Sequence, residues 1–352
     1  MKTPRPPVLA TLACAMLAIQ PGIASAKLLQ ITDMFVFGDS LSDGGNSGLR
    51  SQEFTGDPSV VFPPPPYAGG RYSNGPTAVE RLWDRYNTDG GLLPSLAGGT
   101  NFAIGGATSG LESFNEVNPN VPAALQPAYA EFGAAWQLSQ FATYAASNSF
   151  DPTTSLFVVW LFPNDVFYAN TTGALPGVVP GSPGGENVVA NAIANILTTI
   201  QILAAAGAQH FLVPNLADLA DAPAFAGGPL AETLSQLTTA FNTNLAAQLD
   251  LLDSVLAAEI IQFDTDAAFQ ALLADPAAFG ITNTTGQCVQ NLANGLCNPD
   301  EWVFWDGVHP TARAHEILAR QFRLSLIPEP GSLALLTLGL FALGWAQRRT
   351  IG

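Results

Sequence analysis

Positive charge is scarce in this sequence. Lys and Arg together number 12 against 28 Asp and Glu, which gives the 352-residue chain a formal net charge of −16. Arg85 and Arg313 bracket a long stretch with no Lys or Arg at all. Nucleic acids are bound by clustered cations, so no nucleic-acid partner is expected. A phosphate-cradling P-loop is excluded for the same reason, because its lysine has no source in that stretch. With three His and three Cys, a zinc ribbon is ruled out and no metal site is expected. Charged residues make up only 11% of the chain and hydrophobic ones 48%. That balance excludes a disordered chain and supplies ample material for a core.

Both ends read as addresses. Lys2 and Arg5 precede an apolar stretch from Val8 to Ile19, followed by Ala24-Ser25-Ala26. This is the pattern of a secretory signal, and residues 1–26 are expected to be removed. At the other end, Ile327-Pro328-Glu329-Pro330 leads into a nearly uncharged run from Gly331 to Ala346, then Arg348-Arg349. At about 1.5 Å per residue such a run spans a little less than a hydrocarbon core of about 30 Å, so a single membrane anchor is one reading. The order of Pro-Glu-Pro, apolar stretch and basic end resembles the PEP-CTERM sorting signal of exopolysaccharide-producing Gram-negative bacteria. That resemblance implies recognition of residues 328–352 by an exosortase-type processing enzyme. It also implies transient membrane attachment, export to the cell surface or beyond, and proximity to an exopolysaccharide matrix. The remainder, residues 27–327, is expected to form one domain. It keeps two of the three cysteines, Cys288 and Cys297, and in an oxidising compartment these are expected to pair.

The middle of the chain alternates short apolar runs with helical periodicity. Met34 to Phe37, Leu156 to Leu161, His210 to Val213 and Ile260 to Phe263 read as buried strands, and Asn101 to Ile104 as a fifth. Ile193, Ile196, Leu197, Ile200 and Leu203 step by three and four, with Gly207 to close the helix. A longer pattern runs from Leu230 to Leu252. Apolar strands separated by amphipathic helices predict an α/β fold. The expected form is a three-layer α/β/α sandwich around a mainly parallel sheet of about five strands. Loops at the carboxyl ends of such strands carry the site.

Gly38-Asp39-Ser40-Leu41 follows the first predicted strand directly, which would expose Ser40 at the carboxyl edge of the sheet. Asp306-Gly307-Val308-His309 lies near the end of the domain. An acid three residues before a histidine can accept from one ring nitrogen and leave the other as a base, the logic of Ser/His/Asp catalysis. His210 and His315 read as bystanders, His315 as exposed. Asp39, Asp43 and Asn46 are expected to bond the serine loop, and Asp165 to orient its neighbours.

These blocks, with Asn101-Phe102-Ala103-Ile104-Gly105-Gly106 and Asn164-Asp165 in order between them, resemble the GDSL, or SGNH, hydrolase superfamily. Val213-Pro214-Asn215-Leu216 and Phe304 to Thr311 are similar to its secreted lipase and phospholipase-like members. The family's flavodoxin-like sheet agrees with the fold expected above. The resemblance implies Ser40 as nucleophile, His309 as general base and Asp306 as its orienter. It implies an oxyanion hole of the Ser40 and Gly106 N–H groups and the Asn164 amide, with Gly105 the fallback for Gly106. The substrate implied is a carboxylic ester, lipid or short-acyl, cleaved without metal or cofactor. One departure stands out: the family usually has glycine two residues before the asparagine, where this chain has Phe162. A sugar O-deacetylase and a non-catalytic surface or matrix protein on the same scaffold remain as alternatives.

Overall fold

Four of the five apolar runs become strands of one parallel sheet. A computed structural model describes residues 30–87 and 90–327; the expected leader and sorting tail lie outside them. Strands β1 (Asp33–Gly38), β2 (Ser155–Trp160), β3 (His210–Pro214) and β4 (Glu259–Phe263) pair in that order, all parallel. Two shorter strands, β5 (Asn283–Gln287) and β6 (Trp302–Phe304), form a separate pair. The helices among the described residues are α1 (Asn46–Thr55), α2 (Ala78–Trp83), α3 (Ala134–Ala145), α4 (Pro163–Thr172) and α5 (Val188–Ala205), then α6 (Ala231–Val255), α7 (Thr265–Ala274), α8 (Cys288–Leu292) and α9 (Ala312–Leu326).

Alternation along the strands divides the core into two layers, as successive side chains must point to opposite faces. Phe35, Phe37, Phe157, Val159 and Phe211 pack with apolar residues of α3, α5 and α6. Met34, Val36, Leu156, Val158 and Trp160 face α2 and α9. Because both faces are covered, all six β2 residues are buried, which is why that strand reads as a continuous apolar run. The result is the expected α/β/α sandwich. Both long helical patterns form helices, and Gly207 follows α5 with a φ of 108°.

The fifth run differs from expectation. Asn101 makes only isolated parallel bridges, to Val36 and to Pro94. Val36 N–H donates to Thr100 O at 3.1 Å and Phe102 N–H to Val36 O at 2.8 Å, so the segment still covers the outer edge of β1. It does not become a strand, because its ends are committed elsewhere. The Asn101 side chain donates to Ser42 O at 2.8 Å, and the Gly105-Gly106 turn follows at once. The main sheet therefore has four strands, with this segment as an edge cover.

Candidate active site

The parallel register of β1 and β2 sets Gly38 beside Trp160. The residues following each strand, Ser40 and Asn164, therefore leave the sheet at the same edge. Gly38 is tightly enclosed: an added Cβ would lie 3.1 Å from both Ser42 Oγ and Trp160 O. Its peptide is clamped by the buried Gln137 of α3. Gly38 N–H donates to Gln137 Oε1 and Gln137 Nε2 donates back to Gly38 O, both at 2.8 Å.

Beyond Gly38 the chain turns around Asp39, whose carbonyl accepts from the N–H groups of Ser42 and Asp43 at 3.1 and 3.0 Å. Asp43 is the hub of this turn. Its carboxylate accepts from the N–H groups of Gly45, Asn46 and Ser47, from Ser47 Oγ, and from Gly105 N–H at 2.9 Å. Asn46 Nδ2 donates to the carbonyls of Asn101 and Ala103, both at 2.8 Å. Asp39, Asp43 and Asn46 thus bond the serine loop, as expected, and also join it to the glycine turn.

Ser40 stands on this turn facing His309. His309 Nε2 lies 2.8 Å from Ser40 Oγ, and His309 Nδ1 lies 2.9 and 2.8 Å from the two Asp306 carboxylate oxygens. Asp306 Oδ1 also accepts from the N–H groups of Val308 and His309, at 2.9 and 2.8 Å. Burial pushes the Asp306 carboxyl upward. The His309 ring and these N–H donors outweigh it, so the group stays below the ordinary carboxylate range. Thr311 then caps α9, its hydroxyl accepting from Ala314 N–H at 3.2 Å.

A residue that no sequence signal marked completes this arrangement. Tyr67 Oη donates to Asp306 Oδ2 at 2.8 Å, and its ring packs edge-on against Trp305 with centroids 5.8 Å apart. Burial and the neighbouring carboxylate push the phenol well up, so it remains a donor. Tyr67 sits in the proline-rich loop before α2, where neither periodicity nor spacing singles out a side chain. Gln137 was equally invisible, since it reads as one polar position within a helix.

The glycine turn separates the roles of its two members. Gly105 N–H is occupied, donating to Asp43 Oδ2 at 2.9 Å and Ser47 Oγ at 3.0 Å. Among the described hydrogen bonds, the N–H groups of Gly106 and Ser40 have no partner. Neither glycine tolerates a side chain. A Cβ on Gly105 would strike the Tyr72 ring at 2.0 Å, and Gly106 has a φ of 83° with Asn115 in the way at 2.5 Å. Asn164 lies in the first turn of α4, is 6% exposed, and donates once, to Ala107 O at 3.2 Å. Its amide keeps a second hydrogen. Asp165 accepts from the Ser109 N–H and hydroxyl at 2.9 and 2.6 Å, tying α4 to the glycine turn. Burial pushes its carboxyl up to about 7.

Phe162 occupies the position usually held by glycine and keeps a glycine-like backbone, with φ 147° and ψ −40°. Its ring is fully buried against Phe241 of α6. The strand end thus bends, and α4 begins at Pro163.

The remaining histidines are structural. His210 Nδ1 lies 3.1 Å from Glu259 Oε2, across the β3–β4 register. His315, expected at the surface, is buried instead: its Nδ1 accepts from Ala78 N–H at 3.2 Å. Burial, with His309 and Arg81 nearby, holds its ring down at about 3, so it stays neutral. The correction follows from α2 packing directly on α9, which sequence spacing does not reveal. Cys288 and Cys297 form the expected disulfide, with Cα atoms 5.3 Å apart. Beside it, Val289 N–H donates to Trp305 O at 2.8 Å, one residue before Asp306.

Ser40, His309, Gly106, Asn164 and Tyr67 all line one cavity of about 770 Å³. Among the described residues, no group of three or more His, Cys, Asp or Glu is placed to hold a metal ion.

Comparison with known proteins agrees with these blocks. The family model of the GDSL-like lipase/acylhydrolases matches residues 34–322. A PEP-CTERM protein-sorting motif matches residues 326–349. The chain is similar to an uncharacterised Pseudomonas putida protein from the trpE–trpG intergenic region, with 29% identity over 338 residues. That match covers 92% of this chain but only 53% of the relative, so the chain spans about half of that protein's length. It is 25% identical over 337 residues to a GDSL esterase/lipase of Arabidopsis thaliana, covering 82% of this chain and 80% of the relative. It is 28% identical over 346 residues to acetylajmalan esterase 2 of Rauvolfia serpentina, covering 84% and 89% respectively.

Proposed function

The chain belongs to the GDSL-like lipase/acylhydrolase family, and from that membership we propose that it is a carboxylic-ester hydrolase working through an acyl-enzyme on Ser40. The observation that carries this reading is the continuous relay from Ser40 Oγ through His309 to Asp306, with each link at 2.8–2.9 Å. Ser40 Oγ attacks the ester carbonyl while His309 Nε2 takes its proton. Asp306 holds the ring in the tautomer that leaves Nε2 free and stabilises the imidazolium that forms. The N–H groups of Ser40 and Gly106, without a partner among the described residues, and the second hydrogen of the Asn164 amide receive the negative charge that develops on the carbonyl oxygen. Each such donor is worth about 3–4 kcal/mol in the transition state. The tetrahedral intermediate collapses, His309 returns the proton to the leaving alcohol, and the alcohol departs. Water, deprotonated by His309, then attacks the acyl-enzyme and releases the acid. Metal and cofactor have no part in this sequence.

The sorting motif at residues 326–349 supports placing this activity outside the cytoplasm of a Gram-negative bacterium. In this reading the tail holds the enzyme at the membrane until an exosortase-type enzyme processes it.

A serine-directed phosphonate tests the reading. It is expected to label Ser40 and stop turnover, with Ser40→Ala inactive. Ser42 is the competing site, but it is fully buried beneath the turn. Labelling there, or full activity in Ser40→Ala, would overturn the assignment.

A further inference from the structure

Three half-buried aromatic rings line the wall of the active-site cavity in a row. Phe114 and Phe167 have centroids 5.6 Å apart, and Phe167 and Phe225 5.7 Å apart. Each ring is fixed to a different part of the machinery. Phe114 N–H donates to Gly106 O at 2.7 Å, so this ring sits beside the oxyanion glycine. Phe167 lies three residues after Asn164 on α4, on the same helix face. Phe225 follows Ala224, whose N–H donates to Gly307 O at 2.9 Å, between Asp306 and His309. The row therefore crosses from the oxyanion side of the site to the base side. Leu219, Phe269 and Leu272 also line the cavity and belong to the apolar clusters against which Phe225 packs.

The charges of the cavity are as telling. Among its lining residues there is no Lys or Arg. The carboxylates present, Asp218 and Asp306, are already bonded, Asp218 to the Ser235 hydroxyl at 2.6 Å and to Ala220 N–H at 2.9 Å. Nothing here would neutralise an anionic substrate, while a wall of half-buried rings rewards burial of an aliphatic chain.

Resting on the ester-hydrolase reading above, we propose that the Phe114–Phe167–Phe225 row is the acyl seat, and that the substrates are esters of uncharged, medium-length or longer aliphatic acids rather than acetyl or anionic acyl esters. A sugar acetate would leave this wall wet and gain nothing from it.

A p-nitrophenyl ester series from acetate to decanoate, assayed with the full chain, tests this. Relative to spontaneous hydrolysis, kcat/KM is expected to rise about fourfold per methylene over the first additions. Phe167→Ala and Phe225→Ala are each expected to lower the octanoate-to-acetate ratio of kcat/KM by about tenfold or more. The hemisuccinate ester, which ends in a carboxylate, is expected to react at least about tenfold more slowly than the butyrate ester. A flat or falling series with acetate turned over overturns the acyl seat and leaves the ester-hydrolase reading standing. An unchanged octanoate-to-acetate ratio in both variants also overturns it. Absence of turnover across every ester overturns both.

Discussion

Phe162 stacks face to face on Phe241, with ring centroids 3.8 Å apart and planes 1° from parallel. Its backbone meanwhile holds a φ of 147°, a region that side-chain-bearing residues avoid. Strain of this kind costs about 1–3 kcal/mol and persists only where surrounding contacts over-determine it. Here the contact is a fully buried phenylalanine, whose removal from a core costs about 3–5 kcal/mol. Packing outweighs strain, so the chain keeps an aromatic ring where glycine would relax the backbone.

That balance inverts an ordinary rule. In most cores alanine is better tolerated than glycine. At this position Phe162→Gly is expected to be destabilised by about 1–3 kcal/mol, and Phe162→Ala by more, because alanine loses the ring and keeps the strain. Denaturant unfolding of the two variants checks the order; an alanine variant more stable than the glycine one would contradict it.

Tyr67→Phe removes one hydroxyl from the carboxylate that orients the base. A hydrogen bond to a charged group contributes about 1.5–3 kcal/mol to fixing that carboxylate, and its loss lets the His309 ring drift from Ser40, so kcat/KM above the acid limb is expected to fall about tenfold with KM little changed. The Asp306 carboxylate, left with an unfilled lone pair, should hold the imidazolium more tightly and shift the acid limb of the pH–rate profile upward. A purely structural Tyr67 would lower the melting temperature without moving that limb.

Asn164→Ala removes a donor from the developing oxyanion. A loss in kcat of about 100-fold or more is expected, with little change in KM or melting temperature. Steady-state kinetics decide it: nearly full kcat in the variant would remove Asn164 from the site.

Asp39 is buried beside the nucleophile, and one of its carboxylate oxygens has no partner among the described residues. Burial pushes its carboxyl from 3.8 to about 7, opposed by the Leu41 N–H and by His309. A raised folded value means that the folded state holds the proton while the unfolded state has released it. Stability from this group is complete below the unfolded value and declines as pH rises towards 7. Asp39→Asn, which mimics the protonated form, removes that decline. The variant's stability relative to the parent is therefore expected to rise by about 2–3 kcal/mol between pH 5 and pH 7. Urea melts at both pH values measure it, and a pH-independent difference would show that Asp39 stays ionised.

The Cys288–Cys297 bridge closes a loop with a sequence separation of 9. In the chain-entropy model such a loop is worth about 2.5–3 kcal/mol. The Val289–Trp305 bond at 2.8 Å couples this loop to the strand leading to Asp306. Reduction is therefore expected to depress ester hydrolysis under conditions where the domain remains folded. Activity and near-ultraviolet dichroism followed together in dithiothreitol test this; loss of both in step would place the bridge in global stability alone.

Much of this protein is legible in its sequence because the relevant signals are local. Buried strands show as apolar runs, α5 and α6 as steps of three and four, and the Asp306–His309 pair as two residues one turn apart. The GDSL block and the sorting tail are contiguous. What the sequence leaves open depends on which elements become neighbours, and that is set by strand order and register. Ser40 and His309 are 269 positions apart, and Tyr67 and Asp306 are 239 apart. Their contacts exist only because loops from distant parts of the chain meet at one edge of a parallel sheet. The same reason explains the differences. Asn101 to Ile104 carries a strand's composition, yet competing bonds from Asn101 and the glycine turn limit it to isolated bridges at Asn101. His315 sits at a position that spacing leaves exposed, until α2 packs over it. Phe162 reads as a lost glycine, and only its stacking on Phe241, from a helix more than seventy residues on, explains how the strained strand end is held.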